Sequence, residues 1–190
     1  MNAVIKRWNI LLLLLLLSVA GKIDAQKVAE KTNLFYWATG TPNIGAEVAL
    51  SNRWTFDFST GYNPWELPDE MTLRHWMARV EPRFWLWKPF MGHFIGAHAT
   101  YAQYNIGNIS FIPGLEEYRY KGNLYGGGLT YGYHLVLKGR WGLEFSVSAG
   151  YLQIDYDKYS CTGCSELVDQ ASRSYIGPTW AGVTLVYFLY

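Results

Sequence analysis

The side chains able to do acid–base, nucleophilic or metal chemistry are few: four histidines, two cysteines and scattered serines in 190 residues. A hydrolytic centre would need His75, His93 or His98 beside a hydroxyl such as Ser110 or Ser160, with a carboxylate in hydrogen-bond reach. The extended segments described below place His75 at one rim, His93 at the opposite rim and His98 in the wall between them, so no Ser-His-Asp set converges. A non-enzymatic protein is the expectation, and a lipid-modifying enzyme at the rim is the alternative. His93 and His98 lie five residues apart in an extended stretch, point to opposite faces and cannot chelate one metal. Cys161 and Cys164 are the only cysteines, too few for a closed four-cysteine zinc site. Their bland reading is a small loop disulfide on an oxidising side of the membrane. No metal and no cofactor is expected.

The elements that must position these residues begin after residue 25. The apolar run Ile10 to Leu17 follows Lys6 and Arg7 and leads to a small-residue stretch ending at Ala25. It is well short of the ~20 residues a helix needs to cross a bilayer, which predicts a signal peptide over residues 1–25. Its removal leaves 13 basic and 14 acidic side chains in 165 residues. That balance offers no basic excess for phosphate contacts, so nucleic acid is excluded as a partner class.

From Gln26 onward, segment after segment alternates with period two between turn-forming residues, the signature of strands. Leu143, Phe145, Val147, Ala149 and Tyr151 oppose Gly142, Glu144, Ser146, Ser148 and Gly150; Trp54, Phe56, Phe58 and Tyr62 oppose Thr55, Asp57, Ser59 and Gly61. Eight such runs occur, at about 32–38, 43–51, 54–62, 75–87, 93–105, 120–137, 141–156 and 174–190. The connections 52–53, 88–92 and 138–140 are short, whereas 63–74, 106–119 and 157–173 are long. Eight runs with short turns at one end and long loops at the other predict an all-β, eight-stranded antiparallel up-and-down transmembrane β-barrel over residues 26–190.

The two faces of each run have unequal character. Aromatics make up 17% of the chain and charges only 16%, where soluble domains carry about a quarter charged residues. The small polar face suits a narrow lumen and the large aromatic face suits lipid, the reverse of a soluble sandwich. Trp54, Trp85, Trp87, Trp141 and Tyr190 near one set of strand ends are expected to form one interfacial girdle. Trp37, Tyr62, Trp65, Trp76 and Tyr104 are expected to form the other. Val186, Phe188 and Tyr190 share a face and resemble the C-terminal signal read by the barrel-insertion machinery, leaving Val183, Leu185, Tyr187 and Leu189 inward.

Charges sort by predicted compartment. The lumen receives Glu47, Asp57, Glu81 and Glu144 with Arg79 and Arg83, expected to pair into a plug because an unpaired buried ion is expensive. His98 joins this polar set. The short turns hold only cations, Arg53, Lys88, Lys138 and Arg140. The long loops and strand tops hold nine acids (Glu66, Asp69, Glu70, Glu116, Glu117, Asp155, Asp157, Glu166, Asp169) against five bases.

Lys31-Thr32-Asn33-Leu34, Thr41-Pro42-Asn43-x-Gly45-x-Glu47, Trp54-Thr55, Tyr62-Asn63-Pro64-Trp65, Glu81-x-Arg83-Phe84-Trp85 and Gly92-His93-Phe94-x-Gly96-x-His98 together resemble a family of Bacteroidota outer-membrane barrels of unknown function, DUF3575. One departure from that pattern is Pro82, which follows Glu81 instead of preceding it. The resemblance implies an eight-stranded outer-membrane barrel and carries no catalytic assignment. The expectation is a structural or accessory subunit of the cell outer membrane, with long loops extracellular and short turns periplasmic. Its partners would be outer-membrane lipid and lipopolysaccharide, and one or more proteins of an outer-membrane complex. A small-solute or ligand-binding barrel with a gated polar lumen is the rival.

Overall fold

A computed structural model describes residues 28–65, 72–107, 109, 118–160 and 166–189. The expected signal peptide, the Cys161–Cys164 pair, Ser110, Tyr190, and the loop acids Glu66, Asp69, Glu70, Glu116 and Glu117 lie outside the described residues. Eight strands run in chain order: β1 (Val28–Asn33), β2 (Asn43–Ala49), β3 (Trp54–Asn63), β4 (Thr72–Trp85), β5 (Gly92–Gly107), β6 (Tyr118–Val136), β7 (Trp141–Ser160) and β8 (Leu167–Phe188). Each pairs antiparallel with its neighbours, and β1 pairs with β8 to close the barrel. Hydrogen-bonded partners followed once around the wall from Trp141 lead through Tyr187, Glu30, Ala46, Phe58, Val80, Ala99 and Gly127 to Tyr151. The ten-residue offset on β7 is the barrel's stagger, which obliges the strands to tilt.

The segment expected as a strand over 32–38 divides. Extended chain stops at Asn33, and Leu34–Ala38 form a short helix, α1. The apolar run Leu34-Phe35-Tyr36-Trp37 does not alternate, and the Asn33 side chain accepts from the Phe35 N–H as an N-cap. Asn33 and Asn43 clasp the ends of the connection: Asn33 N–H donates to Asn43 Oδ1 at 2.6 Å, and Asn43 Nδ2 donates to the Asn33 carbonyl at 3.0 Å.

The barrel is far from uniform in height. β1 has 6 residues and β2 has 7, whereas β7 has 20 and β8 has 22. The ends are level at the short turns, so β5 to β8 rise above the rest as a wall at the long-loop end. β1 pairs with β8 only from Thr184 to Phe188. Between Leu167 and Val183, no described strand covers the edge of β8 that faces away from β7. Where this wall leaves the barrel, Gly128, Gly150 and Gly177 stand in one row across three strands. A Cβ on Gly150 would meet the Gly127 carbonyl oxygen at 2.2 Å, and one on Gly128 the Ala149 oxygen at 2.2 Å. Only glycine allows this approach. β8 breaks register beside the same row, between its pairings with Ser148 and Ala149.

The faces separate as the pleat requires. Outward, Trp54, Phe56, Phe58, Ile95, Leu129, Tyr131, Phe145 and Val147 are exposed; inward lie charged and hydroxyl side chains. Pro82 causes no bulge. Pairing with β5 skips Glu81 and Pro82, because proline has no N–H to donate, and resumes in register at Arg83↔Gly96 with Arg79 still inward.

Candidate functional site

The only concentration of charge in the described interior is a seven-membered ion cluster in the lower half of the lumen. Period-two alternation aims Glu47, Asp57, Arg79, Glu81, Arg83 and Glu144 inward from β2, β3, β4 and β7, and β1 adds Lys31. Lys31 Nζ lies 2.7 Å from Glu47, 2.8 Å from Glu144 and 3.0 Å from Asp57. Arg83 reaches Glu81 through Nε at 2.7 Å, and through Nη1 reaches Glu47 at 2.8 Å and Glu144 at 3.0 Å. Arg79 pairs with Glu81 and donates to Thr130 and Ser148, each at 2.9 Å. Thr130 in turn donates to Glu81 at 2.6 Å. Every carboxylate thus faces at least one cation. Ions removed from water need this completeness, because an unmatched one costs several kcal/mol.

Aromatic layers bound the cluster on both sides. The Arg83 guanidinium stands 4.5 Å from the Phe94 ring centre and that of Arg79 stands 4.7 Å from Trp180. Below, Ala29, Trp85, Phe90, Phe94 and Val186 form an apolar floor against which Phe188 packs. Phe90 belongs to the turn between β4 and β5 and reaches this floor with φ at 62°, a left-handed conformation that bulky residues rarely adopt. His134 lies within the floor, ringed by Trp85, Phe90 and Phe188, with Nδ1 3.9 Å from Glu144. Above, Tyr36 of α1 packs edge-on to Trp180 at 5.2 Å and donates to Met77 Sδ. The cavity left beneath it, lined by Lys31, Asp57 and Arg79 among others, measures about 30 Å³, room for about two waters.

Several expectations change here. Trp85 is fully buried, so it belongs to the floor and not to the girdle: it has the parity of Arg79, Glu81 and Arg83, and its Nε1–H donates to Thr55 at 2.9 Å. Trp54, Trp87 and Trp141 are exposed on the outer surface. Tyr104 faces inward and its hydroxyl donates to the Asp155 carbonyl, while Tyr101 holds the outward position. The facing of the last strand is inverted. Val186 is fully buried and Phe188 packs on Phe90, because the register sets Val186 against Lys31 and Thr184 against Asn33, both inward residues of β1. Val183, Leu185 and Tyr187 face outward instead, which removes the unduly apolar lumen that the opposite facing required.

Lys31 is the principal residue that sequence reasoning leaves unplaced. Val28 to Asn33 has no apolar face, so alternation is silent there. The usable signal is the imbalance of four buried acids against two arginines, which calls for a third cation. The histidines stay apart. His75 approaches Thr41 at 3.5 Å near the long-loop end, His93 binds the Tyr131 hydroxyl at 2.7 Å on the outer wall, and His98 is braced between Thr130 and Thr179, each at 3.2 Å. Among the described residues no group of three His, Cys, Asp or Glu is arranged to hold a metal ion.

What this arrangement can do chemically is brace the wall and fill the lumen at its height with paired ions above an apolar floor. No curated protein and no solved structure matches the chain. A family model described as a protein of unknown function, DUF3575, matches residues 10–189, nearly the full length, and the chain belongs to that family.

Proposed function

We propose that this protein is a non-enzymatic integral outer-membrane barrel that serves as an accessory subunit of a larger assembly, docking partners through the tall β5–β8 wall and its loops. The observation that carries the membrane reading is the height and content of the outward face. Tyr62, Trp76, Tyr101, Tyr125 and Tyr151 ring one level, and Trp54, His93, Tyr133, Trp141 and Tyr187 ring another. Nine residues separate the rings inclusively on β3, β5 and β6, and eleven on β7, the 9–11 that a tilted strand needs to cross a bilayer. On the low side, exposed Leu34, Phe35 and Trp37 of α1 complete the apolar belt above β1. Just above Tyr151 the outward face turns polar: Ser174 donates to Gln153 at 3.0 Å, Ser172 to Asp155, and Gln170 to Asp157 at 2.7 Å.

The accessory role follows from what remains available. A filled lumen weighs against a solute conduit, and separated histidines weigh against a rim enzyme. The uncovered β8 edge offers a row of backbone donors and acceptors beside exposed Leu167, Val168 and Ile176, suited to an extended segment of another protein. A second copy in the same membrane is a poor match for this edge. A twofold axis along the membrane normal keeps both copies of β8 running the same way, whereas the axis that relates an antiparallel pair would turn one barrel upside down.

The test is extraction of native membranes in mild detergent, pull-down of this chain, and mass spectrometry of what accompanies it in stoichiometric amount. A defined companion set that the Ile176→Lys variant loses supports the reading. A lone, heat-modifiable monomer from native membranes would sink the accessory role and leave the barrel.

A further inference from the structure

A second feature lies on the outer wall, at the seam where β8, β1 and β2 meet. A groove of about 540 Å³ runs there, lined by Glu30, Trp37, Ile44, Trp141, Leu185 and Tyr187. It exists because β1 presents only Glu30 and Thr32 outward between Val28 and the turn into α1. The indole of Trp37 leans back over that gap and donates from Nε1 to Thr32 Oγ1 at 2.7 Å. Its volume falls in the range of small-molecule sites, about 300–1,000 Å³.

Glu30 gives the groove its chemistry. Its neighbours Ala29 and Lys31 turn inward, and Glu30 itself is exposed on the outer face. Among the described residues it has no ion-pair partner, and it is the one Asp, Glu, Lys or Arg facing outward between the two aromatic rings. Register places it directly across from Tyr187, whose ring packs tilted against Trp141 at 4.8 Å, so the carboxylate sits at the ring nearer the short turns. From that point the groove is mainly apolar as far as Trp37, with Thr32 and Asn43 as its polar lining and the Thr32 hydroxyl engaged by Trp37. A carboxylate facing lipid without a counter-charge is costly, and the one cation in the groove's lining, Lys31, turns its ammonium inward onto Glu47, Asp57 and Glu144.

We propose that this groove binds an amine-headgroup phospholipid of the leaflet on the short-turn side, its ammonium on Glu30 and an acyl chain along Ile44 and Leu185 towards Trp37. The proposal rests on the membrane reading above. One charged end at headgroup depth followed by one apolar slot matches a single lipid. An anionic headgroup would meet repulsion from Glu30. A lysine from a partner's wall could satisfy the charge but would leave the slot empty.

The experiment adds dioleoyl phosphatidylethanolamine or dioleoyl phosphatidylglycerol to the detergent-folded barrel and counts the lipids retained in native mass spectra. Wild type should retain the ethanolamine lipid about tenfold better than the glycerol lipid, the worth of one charge-assisted hydrogen bond. Glu30→Gln should abolish the preference. Leu185→Trp, which narrows the slot without touching the charge, should lower retention of both lipids. Equal retention of the two lipids by wild type, or a preference that persists in Glu30→Gln, overturns the proposal. So does a Glu30→Cys variant that cross-links to a protein in native membranes while the wild type retains neither lipid. Heat-modifiable gel migration of each sample reports the membrane barrel separately, so a folded barrel without lipid preference defeats the site alone.

Discussion

The closed base of the barrel and the wall that rises above it use the same alternating strands to opposite ends. In the base the interior is nearly filled: ions pair with ions, Trp85, Phe90 and Phe94 seal the floor, and the cavity that remains has room for about two waters. In the wall the same strands carry on without a partner for the β8 edge, and both faces of its upper β8 stretch meet solvent. Strand geometry alone therefore sets neither rigidity nor role. What differs is whether the barrel closes at that height. Closure makes each inward side chain part of a shared, water-poor interior where an error is expensive; without closure each substitution acts nearly alone.

The largest effect should come from breaking the ion cluster. Arg83→Met leaves Glu47, Glu81 and Glu144 crowded without their shared cation, and should cost about 3–5 kcal/mol in urea unfolding of the detergent-folded barrel. A loss under 1 kcal/mol would mean that water enters the lumen and solvates these groups, erasing the contrast with the wall. Trp85→Ala should cost about 3–5 kcal/mol as well, by opening a cavity in the floor and removing one of the two hydrogen bonds at the Thr55 hydroxyl.

The boundary between the regions is the next place to press. Gly150→Val forces a side chain into the Gly127 carbonyl and should cost roughly 1–3 kcal/mol on the same unfolding curve. If the glycine row only eases packing in the wall, Gly150→Val will unfold like wild type, and the base and wall are then one continuous sheet. The smallest effect belongs to the wall. Ile176, 82% exposed, changed to Lys should shift stability by less than about 1 kcal/mol, as substitutions at exposed positions with few contacts do. A large loss there would show the edge to be structural and not a docking strip.

Particular residues show how far the sequence could be read. Trp141 to Tyr151 alternates without interruption, and its inward set can be written down at once because the pleat leaves no freedom. Trp85 was open to the same parity argument, since it follows Arg83 by two; proximity to a strand end misled, because a turn that folds Phe90 up into the barrel makes that end an interior. The last strand is apolar on both faces, so alternation could not choose its facing. Register with β1 chose it. Lys31 was hidden for the opposite reason: its strand has no apolar face to contrast with.

The sequence by itself determined the number of strands, their order and the facing of most of them, because side chains on a strand alternate and turns announce themselves locally. Only the tertiary structure decided that Lys31 completes the ion cluster, that Val186 and Phe188 point inward, and that β8 stands uncovered above Thr184. Each of these depends on how the first strand meets the last. Their separation along the chain is nearly the whole span of the described residues, and no local pattern spans it; closure of the sheet fixes the register between them.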